Sequence, residues 1–147
     1  MFLKRLEFDS DIRVFGNYIL TLIKYHQEYA NKIGLFDKVV DSYTYKDAIR
    51  HIGEDGYHQY LIVDEDRVIV GALEYKHCRS EIDDKDIIYL KKLYIIEEYR
   101  GKGIATEVIN HLKKKGYRIE LECWYGIPAN EFYKSLGASE IKTRYMI

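Results

Sequence analysis

A strand pattern leads through a glycine turn into a helix pattern between residues 93 and 112, and this connection constrains the fold most. Leu93 to Ile96 is an apolar run, and Gly101 and Gly103 follow after a charged stretch. Helical spacing of apolar residues then follows at Ile104, Val108, Ile109 and Leu112. Because glycine has no Cβ, the backbone can turn sharply there and a bulky anion can approach its N–H groups. A helix N-terminus adds unpaired donors, so the connection predicts a phosphate-binding turn.

Two common phosphate-binding turns fit this connection incompletely. The Walker loop has a glycine five residues before a Gly-Lys-Ser/Thr triplet. This chain has Ile96 at that place and Gly103 after the lysine, which excludes the Walker loop. The dinucleotide-binding turn has glycine or alanine three residues after its second glycine, where this chain has Thr106. Glu120 and Glu122 lie at a suitable distance downstream to hold a ribose, so the dinucleotide hypothesis stays open.

A third motif, Arg/Gln-x-x-Gly-x-Gly/Ala, is matched without a gap by Arg100, Gly103 and Ala105. Alone, such a turn can also be an ordinary strand-to-helix connection. Here the segment from Ala129 to Gly137 follows with the pattern A-x-x-F-Y-x-x-x-G, and a strand pattern lies between the two motifs. Together they resemble the acetyl-coenzyme A signature of the GCN5-related N-acetyltransferase (GNAT) family. The resemblance covers residues 61–147 and extends to residues 1–60 only through the order of the elements.

The resemblance implies a fold and a co-substrate. The fold is a mixed α/β structure with a mostly antiparallel central sheet flanked by helices, in a single domain over residues 1–147. The co-substrate is acetyl-coenzyme A: backbone N–H groups of the fourth strand would face its pantetheine arm, and the glycine turn would bind its pyrophosphate. Asn130 would contact the arm or cap its own helix. The implied binding residues are Leu93, Ile95, Arg100, Gly101, Lys102, Gly103, Ile104, Ala105 and Asn130.

Acetyl transfer requires that the amine lose a proton, that the thioester carbonyl be polarised and that the leaving thiolate be protonated. By resemblance, Tyr133 is the general acid for the thiolate; its alternative role is a core tyrosine beside Phe132. The triplet Leu121-Glu122-Cys123 resembles the L-E-V of ribosomal-protein acetyltransferases, which makes Glu122 a candidate general base. One residue fewer separates Glu122 from Tyr133 here, and the alternative is a solvated strand glutamate. Glu74 or a water relay could also accept the proton.

Composition limits the class of protein further. A length of 147 residues suits one domain, and a formal net charge of −1 gives no electrostatic basis for nucleic-acid binding. Cys78 and Cys123 lack a metal-binding spacing, which predicts no metal site and a reducing compartment. No apolar stretch approaches about 18 residues and no signal-peptide pattern is present, which predicts a cytoplasmic protein without a membrane partner.

The apolar periodicity predicts the element order β-α-α-β-β-β-α-β-α-β. Strands are predicted at residues 2–8, 60–63, 68–75, 87–96, 117–123 and 141–146. Helices are predicted at 12–33, ended by Gly34, and at 45–52, 102–115 and 128–136. Residues 79–86 are predicted to form an acidic connection between two strands.

The resemblance implies a small-molecule or peptide amine as the acceptor, and a homodimer is compatible with the family. A negative field from the acidic connection would favour a cationic amine such as a polyamine, an aminoglycoside or a lysine side chain. The alternative is a solvated polar loop. Two functional hypotheses follow. The first is an acetyl-coenzyme A-dependent N-acetyltransferase acting by direct attack in a ternary complex, which Tyr133 favours. The second is a noncatalytic module that binds coenzyme A or another nucleotide as a sensor or scaffold.

Overall fold

The computed structural model describes residues 1–32, 34, 43–124 and 126–145, and within them strands and helices follow each other in the order of an α/β protein. The strands are β1 (Phe2–Arg5), β2 (Tyr57–Val63), β3 (Ile69–Arg79), β4 (Asp86–Ile95) and β5 (Arg118–Leu121). The helices are α1 (Asp9–Lys32), α2 (Tyr45–Ile49), α3 (Ile104–Lys113) and α4 (Ala129–Ser135). A 3₁₀ turn covers Glu97–Tyr99 between β4 and α3.

The strands form a single mixed sheet in the order β1-β2-β3-β4-β5. The first four strands pair antiparallel, and β5 pairs parallel to β4 after the crossover through α3. The parallel pairing is short, because it joins only residues 87–90 of β4 to residues 118–121 of β5. Among the described residues, β4 continues from residue 91 to Ile95 with no strand on that side. We call residues 91–95 on this side the open edge of β4.

Hydrophobic side chains cover both faces of the sheet. On one face, Val108 and Leu112 of α3 share one buried cluster with Leu73 of β3. On the other face, α1 packs Phe15 against Leu61 of β2. We call these the α3 face and the α1 face. The amphipathic spacing of each helix therefore decides which side of the sheet it covers.

A buried carboxylate fixes the start of α1. Asp11 is 4% exposed, and its carboxylate accepts hydrogen bonds from the N–H groups of Glu7 at 3.0 Å and Phe8 at 3.1 Å. The Lys4 ammonium donates a third bond to the same carboxylate. These bonds connect β1 to the first turn of α1. At the other end, Gly34 has φ +69°, the left-handed conformation that glycine favours after a helix.

The predicted fold class is confirmed, but the predicted closing strand at 141–146 is wrong for its described part. Residues 141–145 lie outside any strand, and Met146 lies outside the described residues. The side chains of Ile141 and Tyr145 are 62% and 85% exposed. Alternation of apolar and polar residues gives a strand tendency, yet a strand forms only with a pairing partner and a surface to cover. The other predicted strands and helices are present with shifted ends.

Candidate functional site

The open edge of β4 carries unpaired backbone donors. The N–H of Ile96 donates to the Val70 carbonyl of β3 at 2.9 Å, so the N–H of Ile96 points toward β3. Successive residues of a strand point their backbone groups to opposite edges. Tyr94 lies two residues before Ile96, so its N–H also points toward β3. The N–H groups of Leu93 and Ile95 therefore point to the open edge. Both residues predicted as backbone donors lie where β5 no longer pairs.

A β-bulge lies where β4 parts from β5. Across the β3–β4 pair, Glu74 is opposite Lys92, whereas Tyr75 is opposite Leu90, so Lys91 is the extra residue. Leu90 is also the last β4 residue that pairs with β5. A bulge bends and twists its strand, which separates β4 from β5 at this point. The bulge was not predicted from the sequence, in which the adjacent lysines interrupt the apolar strand without indicating the pairing.

The glycine turn follows the open edge after the short 3₁₀ turn Glu97–Tyr99. Gly101 and Gly103 have φ +75° and +81°, the left-handed region that favours glycine. Apart from the glycine and its two neighbours in the chain, no atom lies within 4 Å of the place where a Cβ would stand on either residue, so the turn faces open space. In α3, the Glu107 N–H donates to the Gly103 carbonyl at 3.0 Å. The N–H groups of residues 104–106 precede this first helical bond and have no partner within the helix.

The two cationic side chains of the turn already contact the protein. The Arg100 Nε donates to the Ile95 carbonyl at 2.8 Å, and its guanidinium lies 5.7 Å from the ring centroid of Tyr94. The Lys102 ammonium lies 4.6 Å from the ring centroid of Tyr99. Arg100 therefore ties the turn to the end of β4, and its remaining guanidinium N–H groups stay available. Both positive charges lie at the turn that was predicted to bind pyrophosphate.

Tyr133 lies on the α3 face together with parts of the open edge and the turn. Its ring packs against the hydrophobic cluster that also contacts Leu93 and Ala105, and it meets Phe132 edge-to-face at 5.0 Å. Burial, followed by the nearby Cys123 thiol, raises the pKa of Tyr133 above its ordinary value. The hydroxyl is therefore held in its protonated form. The alternative prediction, a half-buried core tyrosine, is compatible with the same packing.

Asn130 stabilises the segment before α4 through hydrogen bonds. Its amide nitrogen donates to the carbonyls of Trp124 at 2.7 Å and Ile127 at 3.0 Å. The Tyr29 hydroxyl from α1 donates to the Gly126 carbonyl at 2.6 Å. These bonds hold the connection from β5 to α4 against α1. Asn130 does not occupy the cap of its helix, because Pro128 does.

Glu122 lies on the opposite face from Tyr133. Ile88 and Leu90 belong to the α3-face cluster, so Tyr89 between them points to the α1 face. Burial, followed by a hydrogen bond to Glu122, raises the pKa of Tyr89. Glu122 itself is exposed and follows the end of β5. The residues predicted as acid and base therefore approach the gap between β4 and β5 from opposite faces.

Glu74, the second candidate base, is also on the α1 face but is enclosed. It is 3% exposed, and one carboxylate oxygen accepts a hydrogen bond from Gln59 Nε2 at 3.1 Å. It stands opposite Lys92 at the bulge. Burial lowers the pKa of Lys92, and the charge of Glu74 opposes this shift. Glu74 thus takes part in a polar cluster beneath α1, whereas Glu122 is open to solvent.

Arginines neutralise much of the acidic connection. Asp83 accepts two hydrogen bonds from the Arg118 guanidinium, both at 2.8 Å. Arg79 pairs with Asp84 at 3.2 Å and with Asp86 at 3.7 Å. The pKa of Asp83 falls to about 2, chiefly because of its hydrogen bonds with Arg118. These pairs reduce the negative field that would attract a cationic amine.

The described part of the chain lacks two kinds of feature, a metal-binding cluster and a membrane-spanning helix. Within it, no three His, Cys, Asp or Glu side chains are arranged to hold a metal ion. No helix in the same residues combines the length and apolar character needed to cross a membrane.

Comparisons with known sequences agree with the geometry. The model of the Acetyltransferase (GNAT) family matches residues 22–138. The uncharacterized N-acetyltransferase MJ1207 of Methanocaldococcus jannaschii is 37% identical over 68 residues, which cover 42% of this chain. The match spans 30% of the length of that relative.

Solved structures share the fold over the whole chain. A mutant of the BH1408 protein from Bacillus halodurans superimposes with a TM-score of 0.74 at 18% identity, covering 100% of this chain and 98% of that one. The aminoglycoside acetyltransferase HMB0005 from an uncultured soil metagenomic sample superimposes with a TM-score of 0.64 at 20% identity, with coverage of 100% and 98%. At these identities the likeness concerns the fold alone.

Proposed function

The chain belongs to the acetyltransferase (GNAT) family, and we propose that it transfers an acetyl group from acetyl-coenzyme A to a primary amine by direct attack in a ternary complex. One observation carries the proposal: the unpaired edge of β4 is followed, after one 3₁₀ turn, by an open glycine turn. An extended amide-bearing arm needs a strand edge, and a diphosphate needs backbone donors at a helix start. This connection offers both in the order in which coenzyme A carries them.

The residues of the open edge and the turn fit this co-substrate. We propose that Leu93 and Ile95 offer their N–H groups to the pantetheine arm. Gly101, Gly103 and the N–H groups of residues 104 and 105 would hold the pyrophosphate, with Arg100 and Lys102 supplying positive charge. The open space around both glycines supports this assignment, because a side chain there would enter the volume that the phosphates need. Acetyl-coenzyme A supplies the activated acetyl group.

We propose that Tyr133 donates the proton that the leaving thiolate needs. A tyrosine with a raised pKa stays protonated at neutral pH, and general acid catalysis requires the proton to be present. Its position on the α3 face, in one cluster with Leu93 and Ala105, supports this role. Backbone N–H groups at the open edge would polarise the carbonyl, since fixed donors stabilise charge that develops during the reaction.

For the proton of the amine we propose Glu122 as acceptor. Glu122 is exposed beside the gap, so an incoming amine can reach it. Glu74 is buried and already accepts a bond from Gln59, which leaves it less accessible. The amine would then lose its proton to Glu122 on the α1 face, and the thiolate would receive a proton from Tyr133 on the α3 face.

The acceptor is proposed to be a small-molecule or peptide amine. Pairing of Asp83, Asp84 and Asp86 with Arg79 and Arg118 removes the main argument for a polycation. One structural relative is described as an aminoglycoside acetyltransferase, so an aminoglycoside belongs in the acceptor panel. A net charge of −1 gives no electrostatic reason to propose nucleic acid as a partner.

Release of free thiol from acetyl-coenzyme A tests the proposal. The protein is incubated with a panel that contains an aminoglycoside, a polyamine, free amino acids and short peptides with a lysine or a free N-terminus. We expect thiol release that depends on one class of amine, with the acetylated product detected by mass spectrometry. Binding of acetyl-coenzyme A without acetylation of any amine would instead support the noncatalytic sensor or scaffold.

A further inference from the structure

A cavity lies on the α3 face, at the end of α3 away from the glycine turn. It has a volume of about 340 Å³, near the lower end of the range of about 300–1,000 Å³ for ligand pockets. Strands β1 to β3 contribute Leu3, Tyr60 and Tyr75, and the C-terminal end of α3 contributes His111 and Lys115. With 10 residues in α3 and a rise of about 1.5 Å per residue, roughly 15 Å separate the two ends of the helix.

Basic groups surround this cavity, and among the described residues only one of them, the Met1 ammonium at 3.9 Å from Glu107, has a carboxylate partner. Its lining includes Arg5, His111 and Lys115, and none of the described lining residues is an aspartate or glutamate. In the described part of the chain, none of the three side chains forms an ion pair or a hydrogen bond. Two permanent positive charges and an imidazole therefore face one cavity. Like charges held together without a counterion favour the binding of an anion.

The neighbouring His58 responds to this positive charge. Its ring stacks on Tyr75 with centroids 4.8 Å apart. Burial lowers the pKa of His58, and the positive charges of His77, Lys115 and Arg5 lower it further. His58 thus lies in the same positive field as Lys115 and Arg5 of the lining.

The floor of the cavity is apolar and aromatic. Leu3 and Tyr60 are partly buried against the α3-face cluster, to which Tyr75 belongs. The rings of Tyr60 and Tyr75 lie nearly parallel, at an interplanar angle of 15° and a centroid distance of 6.1 Å. A flat apolar body could cover this floor, since burial of apolar area is favourable. The basic rim would then hold its charged group.

We propose that this cavity is a binding site for a small organic carboxylate with a flat apolar body. The carboxylate lies between Arg5 and Lys115, with His111 as a further donor. The apolar body lies on Leu3 and Tyr60, next to the largely buried Tyr75. The site is distinct from the proposed coenzyme site, because it uses the opposite end of α3 and none of the residues of the glycine turn. Binding here therefore does not depend on acetyl transfer.

Benzoate is a suitable probe. Benzyl alcohol and inorganic phosphate are its controls, since each has only one of its two features. Benzyl alcohol keeps the ring and lacks the charge, and phosphate keeps the charge and lacks the ring. Titrations followed by ¹H–¹⁵N NMR should show benzoate binding more tightly than either, with shifts at β1, Tyr75 and residues 111–115. Added salt should weaken binding of benzoate and leave that of benzyl alcohol unchanged. Equal affinity for benzoate and benzyl alcohol would overturn the proposal.

Charge-removing variants provide the second arm. The double variant Arg5→Gln with Lys115→Gln should raise the Kd for benzoate roughly 5-fold or more, since each exposed pair contributes up to about 1 kcal/mol. Lys113→Gln is the control, because Lys113 is exposed at the same helix end but does not line the cavity. An unchanged Kd in the folded double variant would reject the site. Loss of benzoate binding in Gly103→Asp would also reject it, because benzoate would then occupy the glycine turn. If the double variant does not fold, the salt titration of the natural protein tests the site instead: benzoate binding that salt does not weaken would reject it.

Discussion

Tyr133 has a hydroxyl group that burial keeps protonated by raising its pKa, so a proton is present for a leaving thiolate. Tyr133→Phe removes the proton donor and keeps the packing of the ring against Phe132. We expect kcat and kcat/KM to fall together by roughly 10²-fold, the usual scale of general acid catalysis. The affinity for coenzyme A should change little. Steady-state kinetics with an accepted amine and calorimetric titration with coenzyme A measure the two effects.

A matched control for this change is Tyr117→Phe. Tyr117 precedes β5 at the far end of the sheet and contacts His77 rather than the gap. Its substitution should leave turnover unchanged. Normal turnover in Tyr133→Phe would mean that Tyr133 is a core residue and that another group protonates the thiolate.

The two candidate bases differ in accessibility, and this difference is testable. Glu122→Gln should lower kcat/KM by roughly 10²-fold and should remove the decrease in rate that protonation of the base causes at low pH. Glu74→Gln keeps the size of a buried side chain bonded to Gln59 and should retain that decrease. Rate profiles against pH for both variants, with exposed Glu131→Gln on α4 as control, distinguish them. The reverse pattern would assign the base to Glu74, and two unaltered profiles would favour a water relay.

At the scale of elements, the start of α1 connects stability to pH through Asp11. The hydrogen bond from Lys4, then that from the Glu7 backbone, lowers the pKa of Asp11 below its ordinary value of 3.8. A group with a lowered pKa in the folded state stabilises the protein above its unfolded pKa. This stability is lost as the pH falls through the lower folded pKa. It is therefore fully present at pH 7 and absent in strong acid.

Asp11→Asn should therefore destabilise the protein at pH 7 by about 1–3 kcal/mol, the usual cost of leaving buried partners unsatisfied. The difference from the natural protein should shrink as the pH falls below 3.8. Urea unfolding at a series of pH values from 7 to 3 measures the free energy of unfolding for both proteins. Asp9→Asn is the control, since Asp9 is exposed in the same first turn. A constant difference at all pH values would contradict the assigned role of the carboxylate.

Local patterns in the sequence predict elements well where each element buries one face. The spacing of Ile104, Val108 and Leu112 predicts α3, and these residues are buried as expected. The same kind of pattern fails at residues 141–145, because alternation cannot specify a pairing partner. The bulge at Lys91 also depends on pairing between strands, so it could be located only in the structure.

At the scale of the whole molecule, the sequence motifs predicted which residues belong to the candidate site, and the structure adds how they lie. The glycine turn is a local feature, so Gly101 and Gly103 could be recognised from their neighbours. The opposite faces of Glu122 and Tyr133 arise from the parallel pairing of β5 with β4, which no single segment encodes. Neutralisation of the acidic connection likewise depends on Arg118, 35 residues from Asp83.

Ligand-induced stability tests the whole molecule against the dinucleotide alternative, because a ligand that binds only the folded state must raise the unfolding temperature. Acetyl-coenzyme A should raise the Tm, and NAD should not. Gly103→Asp places a carboxylate in the open space of the turn and should abolish the shift with acetyl-coenzyme A. Gly116→Asp is the matched control: Gly116 has φ +83°, near the +81° of Gly103, and open space around its Cβ position, but lies beyond the other end of α3. Both variants carry a similar backbone cost, about 1–2 kcal/mol, so only the loss of the ligand shift separates them. A rise in Tm with NAD and none with acetyl-coenzyme A would mean that the turn binds a dinucleotide. An equal rise in Tm with acetyl-coenzyme A in Gly103→Asp and in the natural protein would mean that the phosphates bind elsewhere.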